Sequence, residues 1–476
     1  MSLRLLGLLC LAVVSGCTVG PVYRPPAPAL PATWSAAEDS GVSTEPAPLA
    51  QWWSAFQDAQ LTTLIRRAAE ANLDVRLAVA RVREIRAARG MVTAERQPQV
   101  TTSGLYSHNR SSTNAVPMPT RDSDLFQFGF DARWELDIFG GVRRAVEAAE
   151  ADIEAAMAER QAMLVSLAGE VARHYLELRG AQAQLAITRA NLAAQQETMA
   201  LAQVRFQAGL SSALDVVRAA ALVATTQAQL PTLEIQLRQG MHHLAVLLGQ
   251  EPGALDTELS VAAPIPPPPL VVAVGLPAAL LQRRPDIRRA ERELAAATAR
   301  IGVATAERYP RLTLSGTIGH HSLHITDLFL PGSQFWSLGP SLRWPLFDVG
   351  RIRATLQVHD ARQEQALVRY EKALLTALED VENALVAYGQ EQARQRALAT
   401  AVEANRHAVA MATELYTKGL ADFLNVLEAQ RALLAAESQW VHSTTALSAQ
   451  VVALYKALGG GWEPEEDAPR FRAAVR

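Results

Sequence analysis

In LFQFGFDARWELDIF, residues 125–139, apolar and polar positions alternate over about 13 residues. Even positions carry Phe126, Phe128, Phe130, Ala132, Trp134, Leu136 and Ile138, while odd positions include Gln127, Asp131, Arg133, Glu135 and Asp137. A period of two makes a β-strand with one apolar and one polar face. Soluble strands average about 5–6 residues, so this one is long. A tilted strand of about 9–11 residues crosses a bilayer. A sandwich strand with one buried face alternates in the same way. Two features argue against that reading: the greasy face is heavy in Phe and Trp, as in the aromatic girdles of membrane barrels, and most of the chain reads as helix.

The pattern returns further on. Trp336, Leu338, Leu342, Trp344 and Leu346 share one face, and Ser337, Ser341 and Arg343 share the other. Shorter strands precede each long one, so four are expected, at 99–107, 125–139, 311–320 and 334–347. Four strands cannot close a barrel, for which about eight is the minimum. An open sheet edge in lipid leaves backbone groups with no partner. Membrane strands in this number therefore require several chains to share one barrel.

The return is part of a duplication. VRFQAGLSSALDV (204–216) is echoed by ELYTKGLADFLNV (414–426), and Gly209 and Gly419 differ by 419 − 209 = 210 positions. Trp134 matches Trp344, Phe206 matches Tyr416 and Gly249 matches Gly459 at the same offset. Nearer the start of each half the offset is 212: Asn72-Leu-Asp-Val-Arg76 matches Arg284-Pro-Asp-Ile-Arg288. The first repeat spans 61–262: a helix, two strands, a long helix 141–207 and a helix 210–249. The second spans 271–462, with helix 285–308, two strands, long helix 350–418 and helix 421–459. The proline-rich stretch 263–270 joins them as a stiff extended linker. The long helices hold almost no glycine or proline, and Met163, Leu167, Val171, Tyr175, Leu178 and Leu185 keep a 3–4 spacing. Helices of that length pack side by side as coiled coils. Pro231 interrupts helix 210–249, but its counterpart is Val441, so a kink is expected in one copy only.

The 476 residues carry a net charge of −3. No basic face dominates, which removes nucleic acid as an obvious partner. The two cysteines, Cys10 and Cys17, lie at the N-terminus, so the body has no disulfide framework. MSLRLLGLLCLAVVSGC reads as an export signal over 1–16, too short to span a membrane. An extended segment rich in Pro and Ala follows over 17–60, and residues 463–476 form a C-terminal tail. His320, His321 and His324 are expected in an exposed loop, with no metal site. Arg283-Arg284 and Arg288-Arg289 are expected on solvated helix faces. No nucleophile motif, phosphate loop or paired-carboxylate arrangement is found, so the chain does not read as an enzyme.

Several stretches resemble the TolC-type outer-membrane factors, lipoprotein branch: CTVGPVYRPP (17–26), WELDIFGGVRR (134–144), WPLFDVGRIR (344–353) and RRPDIRRAERELAAATARIGVATAERYPRLTLSG (283–316). Val14-Ser15-Gly16-Cys17 resembles a lipobox, which implies cleavage before Cys17 and a covalent lipid there as the only added group. Thr18, in place of Asp, implies transfer to the outer membrane. The resemblance implies a mainly α fold with a membrane β part. Three copies would form a 12-stranded barrel on a periplasmic helical tube, lipid-anchored in the outer membrane. It implies a passive exit duct for drugs or other small molecules, served by a periplasmic adaptor and an inner-membrane transporter of the RND type. It places Gly209, Leu210, Gly419 and Leu420 at the adaptor-contacting helix turns, and Asp215, Asn425 and Glu428 at the periplasmic constriction. Two other readings stay open: a duct for type I protein secretion, and a lipid-anchored structural coiled coil.

Overall fold

The computed structural model describes residues 18–36, 41–43, 45, 49–110, 112, 122–269 and 271–463. The expected signal peptide, the lipidated Cys17 and the tail beyond Glu463 lie outside them. The main elements are α1 (Ala59–Ala71), α2 (Leu73–Ala94), β1 (Gln99–Arg110), β2 (Asp122–Leu136), α3 (Gly141–Gln207), α4 (Ala213–Gln227) and α5 (Gln229–Leu247). The second half repeats the plan: α6 (Pro285–Ala306), β3 (Arg311–Ser322), β4 (Gln334–Arg343), α7 (Val349–Thr417) and α8 (Phe423–Ala457). Both long helices run at about 1.5 Å per residue; α3 has 67 residues and α7 has 69.

The first of two compact units holds the described part of Met1–Ala27, with Ala80–Met157 and Arg289–Glu371. It therefore mixes both repeats. Its four strands pair antiparallel in the order β1-β2-β3-β4, leaving β1 and β4 as edges. Tyr106 lies opposite Phe126, Phe130 opposite Ile318 and Ile318 opposite Trp336. Cross-strand partners share a face, so one side of the sheet is aromatic and aliphatic. The other side carries Thr101, Asp131, Thr317 and Ser337 in one register row.

Strand ends differ from expectation for local reasons. β2 stops at Leu136, not Phe139, because the Ile138 N–H bonds the Leu136 carbonyl at 2.8 Å, a three-residue turn. Asp137 then accepts the backbone N–H groups of Val142 (3.1 Å) and Arg143 (2.9 Å) at the start of α3. β4 stops at Arg343, not at 347; Pro345 has no N–H for a ladder. His320 and His321 lie within β3, not in a loop. The strand continues past the expected end because His320 pairs with Phe128 and His321 with Gln127. The duplication shows in matched ties from indole to carbonyl: Trp134 Nε1 donates to Arg96 O at 3.0 Å, and Trp344 Nε1 to Arg308 O at 3.2 Å.

In the same unit the N-terminal segment lies along the helices. The Val19 N–H bonds Phe139 O at 3.2 Å, and Arg144 Nε bonds Val19 O at 3.1 Å. A Cβ on Gly140 would meet Thr18 Cα at 3.0 Å, and one on Gly20 would collide with Gly302, so both glycines are close-approach points. Tyr23 donates to Glu291 and packs on Ala151, Ala295 and Ala296.

The second unit comprises Pro28–Val79, Ala158–Arg288 and Lys372–Arg476, the last described as far as Glu463. Asp58 caps α1 by accepting the N–H groups of Gln60 and Leu61. Leu61, Leu64, Val171, Tyr175, Leu176, Leu244 and Val451 are fully buried in its core. Of the expected 3–4 stripe on α3, Met163 alone is exposed. The expected helix 210–249 is two helices with a break at Ala228, because Pro231 has no N–H for Gln227 O and its ring crowds that carbonyl. α8 runs unbroken past Val441.

Arg284 overturns the expectation of a solvated helix face. It is 8% exposed and donates to Asp286 (2.7 Å), Asp380 (3.0 Å) and the carbonyl of Ala457 (3.0 Å). Its repeat mate Asn72 is also buried and donates to Leu247 O at 2.9 Å. Leu247 and Ala457 are themselves 210 positions apart. Both side chains thus satisfy the C-terminal carbonyl end of the matching helix, where unpaired C=O groups attract donors.

Candidate functional site

The two glycine turns lie in the second unit and have the same geometry. Gly209 has φ +74° and Gly419 φ +73°, a left-handed conformation that glycine adopts without penalty. The Gly209 N–H bonds Phe206 O at 2.9 Å, and the Leu210 N–H bonds Arg205 O at 2.8 Å. The second turn repeats this with Gly419 to Tyr416 O (3.0 Å) and Leu420 to Leu415 O (2.8 Å). This is the Schellman closure of a helix C-terminus. Each helix restarts after a short gap, at Ala213 and Phe423.

Packing brings the two turns together. Ala202, Ala219, Leu222, Tyr416, Phe423, Val426 and Leu427 form one buried cluster. Tyr416 and Phe423 are 5.1 Å apart between ring centroids. Arg205, which sequence reasoning missed, ties one turn to the other. Its Nη1 donates to Thr417 O at 3.0 Å, and its Cζ lies 4.7 Å from the Tyr416 ring centroid. The matching position in the second repeat is Leu415, so the tie exists once per chain. A cation four residues before a helix-ending glycine was the available signal.

Leu210 is 66% exposed and Leu420 is 71% exposed. A Cβ on Gly209 would meet nothing within 4 Å. The turns therefore present bare backbone flanked by two open leucines.

The expected constriction residues stand on two helices, Asp215 on α4 and Asn425 and Glu428 on α8. Asp215 is half-buried, and its carboxylate accepts the Ser212 N–H at 3.3 Å. It thereby caps α4 from the third helical position. Asn425 holds the matching position in α8 and is exposed. Asp422 is the N-cap residue there but makes no side-chain cap bond. Glu428 is exposed and pairs with Arg431, one turn on, at 3.2 Å. Among the described residues there is no group of His, Cys, Asp or Glu side chains suited to a metal ion. No described helix is long and apolar enough to cross a membrane.

Comparison with known proteins agrees with this architecture. The family model "outer membrane efflux protein" matches twice, at 64–250 and 276–460. Its starts differ by 276 − 64 = 212 and its ends by 460 − 250 = 210, the same two offsets found in the sequence. Nodulation protein T of Rhizobium leguminosarum bv. trifolii is 35% identical over 95% of this chain and 96% of its own length. The toluene efflux pump outer membrane protein TtgI of Pseudomonas putida is 33% identical over 98% of this chain and 100% of its own. The solved structure of the outer-membrane channel OprN superposes with a TM-score of 0.88 at 39% identity, covering 94% of this chain and all of that one. A duplicated chain of four two-faced strands and two very long helices, matched over both repeats, belongs to the outer membrane efflux protein family.

Proposed function

We propose that this chain is the outer-membrane exit duct of a tripartite efflux pump, acting as a trimer and not as an enzyme. One observation carries the proposal: a sheet with an aromatic face, a polar face and two edges that are unpaired among the described residues. Pairing β1 of one copy with β4 of the next leaves no edge in lipid, and three copies supply twelve strands. The polar face then lines a water-filled lumen. A lipid on Cys17 gives a second hold on the outer membrane.

The paired turns form the periplasmic mouth. Leu210, Leu420 and the open backbone at Gly209 and Gly419 meet a periplasmic adaptor, which links the duct to an inner-membrane transporter of the RND type. Rings of Asp215, Asn425 and Glu428 line the constriction and favour cations. Relatives are named for toluene and for pyoverdine export, which supports small molecules as cargo.

Planar-bilayer recording on the purified trimer tests the duct, with a cation-preferring conductance expected. A monomeric chain without conductance in lipid would sink the proposal. For the mouth, Gly419→Trp should abolish export and adaptor cross-linking while leaving the conducting trimer intact. Undiminished export by that variant would remove the adaptor assignment.

A further inference from the structure

Each half of the chain ends a helix in the same turn just before a strand of the sheet. Ala94-Glu-Arg-Gln-Pro98 closes α2, and Ala306-Glu-Arg-Tyr-Pro310 closes α6. In the first turn the N–H groups of Glu95, Arg96 and Gln97 bond the carbonyls of Val92, Thr93 and Ala94 at 3.3, 3.1 and 3.0 Å. In the second, Glu307, Arg308 and Tyr309 bond Ala304, Thr305 and Ala306 at 3.3, 3.1 and 3.1 Å. Successive i→i−3 bonds tighten a helix end. The indoles of Trp134 and Trp344 then hold the carbonyl of the arginine in each turn. An indole has a single donor, so these rings have no hydrogen bond left to give, while both remain exposed.

The indoles fix the height of the arginines. From Phe126 to Trp134 the aromatic face runs for 134 − 126 = 8 residues. That is about 27 Å at about 3.4 Å per residue, and the apolar band of a membrane barrel is about 25 Å tall. Trp134 therefore stands at the edge of the hydrocarbon, where aromatic rings settle. The arginine whose carbonyl it holds stands at headgroup level.

Arg96 and Arg308 are exposed, and neither guanidinium has a hydrogen bond or an ion pair among the described residues. Other arginines of the same unit are matched to acids on α3: Arg89 to Glu150, Arg292 to Glu154 and Arg300 to Asp152. The acids beside the two free arginines in sequence face elsewhere. Glu95 and Glu307 line a cleft with Arg133, Glu135 and Arg311 of the polar face, and neither Arg96 nor Arg308 lines it. Glu307 also pairs with Arg351 at 3.6 Å.

We propose that Arg96 and Arg308 each hold the phosphodiester of an anionic phospholipid, with the indole of Trp134 or Trp344 against its glycerol and first acyl carbons. A planar guanidinium fork matches two phosphate oxygens, and basic groups at this depth favour anionic headgroups. The inference rests on the outer-membrane duct reading and deepens it. The turns lie on the helical side of the sheet, which that reading puts in the periplasm, so the lipids belong to the inner leaflet. Two sites per copy make six around a trimer, a belt that sets how deep the sheet sits. The same arginines lie near the carbonyl ends of α2 and α6, where a cation is favourable with no ligand at all, and the lipid dependence separates the two roles.

The test is native mass spectrometry of the full-length trimer, released from detergent after incubation with phosphatidylglycerol. The native trimer should retain six lipids, R96Q or R308Q half as many, and the double variant no more than a control incubated with phosphatidylcholine, whose own cation satisfies its phosphate. R96K/R308K keeps the charge without the fork and should retain fewer than the native chain. Inorganic phosphate added in excess should leave the lipids in place; phosphate that displaces them would overturn the lipid assignment. Equal retention by native and double-variant trimers would overturn the site and leave the duct intact. So would a melting temperature that R96Q/R308Q lowers equally with and without phosphatidylglycerol, the mark of arginines that only offset two helix ends. A chain that stays monomeric would overturn the oligomeric duct, and the belt with it.

Discussion

Replacing Arg205 with Met should loosen the mouth. The native side chain makes one hydrogen bond to Thr417 O and sits over the Tyr416 ring. At a partly exposed site the hydrogen bond contributes about 1 kcal/mol net and the cation–π contact about 1 kcal/mol. Parting the two turns of a chain breaks both, so each copy resists opening by about 2 kcal/mol more than the variant would. If three copies open together the difference is about 6 kcal/mol, on the order of 10⁴ in the ratio of closed to open forms. Single-channel recording should therefore show a duct that is mostly closed becoming mostly open in the methionine variant. Arg205→Lys keeps the charge but loses the planar fork, and should fall between the two. Equal open occupancy in R205M and the native chain, together with a lowered melting temperature, would refute the reasoning. The tie would then hold the hairpins in shape without resisting their separation.

Other expectations can be checked alongside. Arg284→Met strips two carboxylates and a helix-end carbonyl of their cation and should destabilise the chain by about 3 kcal/mol, the low end for a broken buried pair because the Asp partners are half-exposed; a thermal melt reads this. Burial pushes the Asp286 carboxyl up, but hydrogen bonding and charge from Arg284 outweigh it and hold it below the usual carboxylate range. Its support is therefore complete above about pH 4 and fades as pH falls further, so the gap in melting temperature between native and D286N chains should close in acid. Asp215→Asn keeps an acceptor for the Ser212 N–H but removes the charge, and should preserve the melting temperature while lowering cation preference; unchanged selectivity would leave Asp215 as a cap alone. Gly209→Ala meets no clash and should cost about 1–2 kcal/mol from its left-handed backbone alone, with a matching drop in melting temperature.

The large features were legible because each has a period. Alternation marked Phe126 to Trp134 as one face, and a repeated spacing marked Gly209 and Gly419 as one turn used twice. The break before Pro231 was legible because proline acts on its own helix. Ends were less so: β2 gives way at Ile138 through a turn that involves only backbone atoms. Arg284 was misread because nothing in Arg283-Arg284 shows that Asp380 and Ala457, far away in sequence, surround the second arginine. Arg205 was missed for a related reason. Its partner is a carbonyl on the other repeat, and a backbone acceptor leaves no mark in side-chain patterns. Asp215 was legible as polar and near the turn, but its cap depends on Ser212 holding an extended backbone.

The two free sheet edges have a genetic consequence. In the proposed trimer, a copy whose β1 cannot pair spoils a ring that contains two sound copies, because closure needs every junction. With equal expression of sound and faulty chains, only about one trimer in eight would be wholly sound under random threefold mixing. A mutation on β1 or β4 that leaves the helices folded should therefore be dominant, whereas one that prevents the chain from folding at all should be recessive.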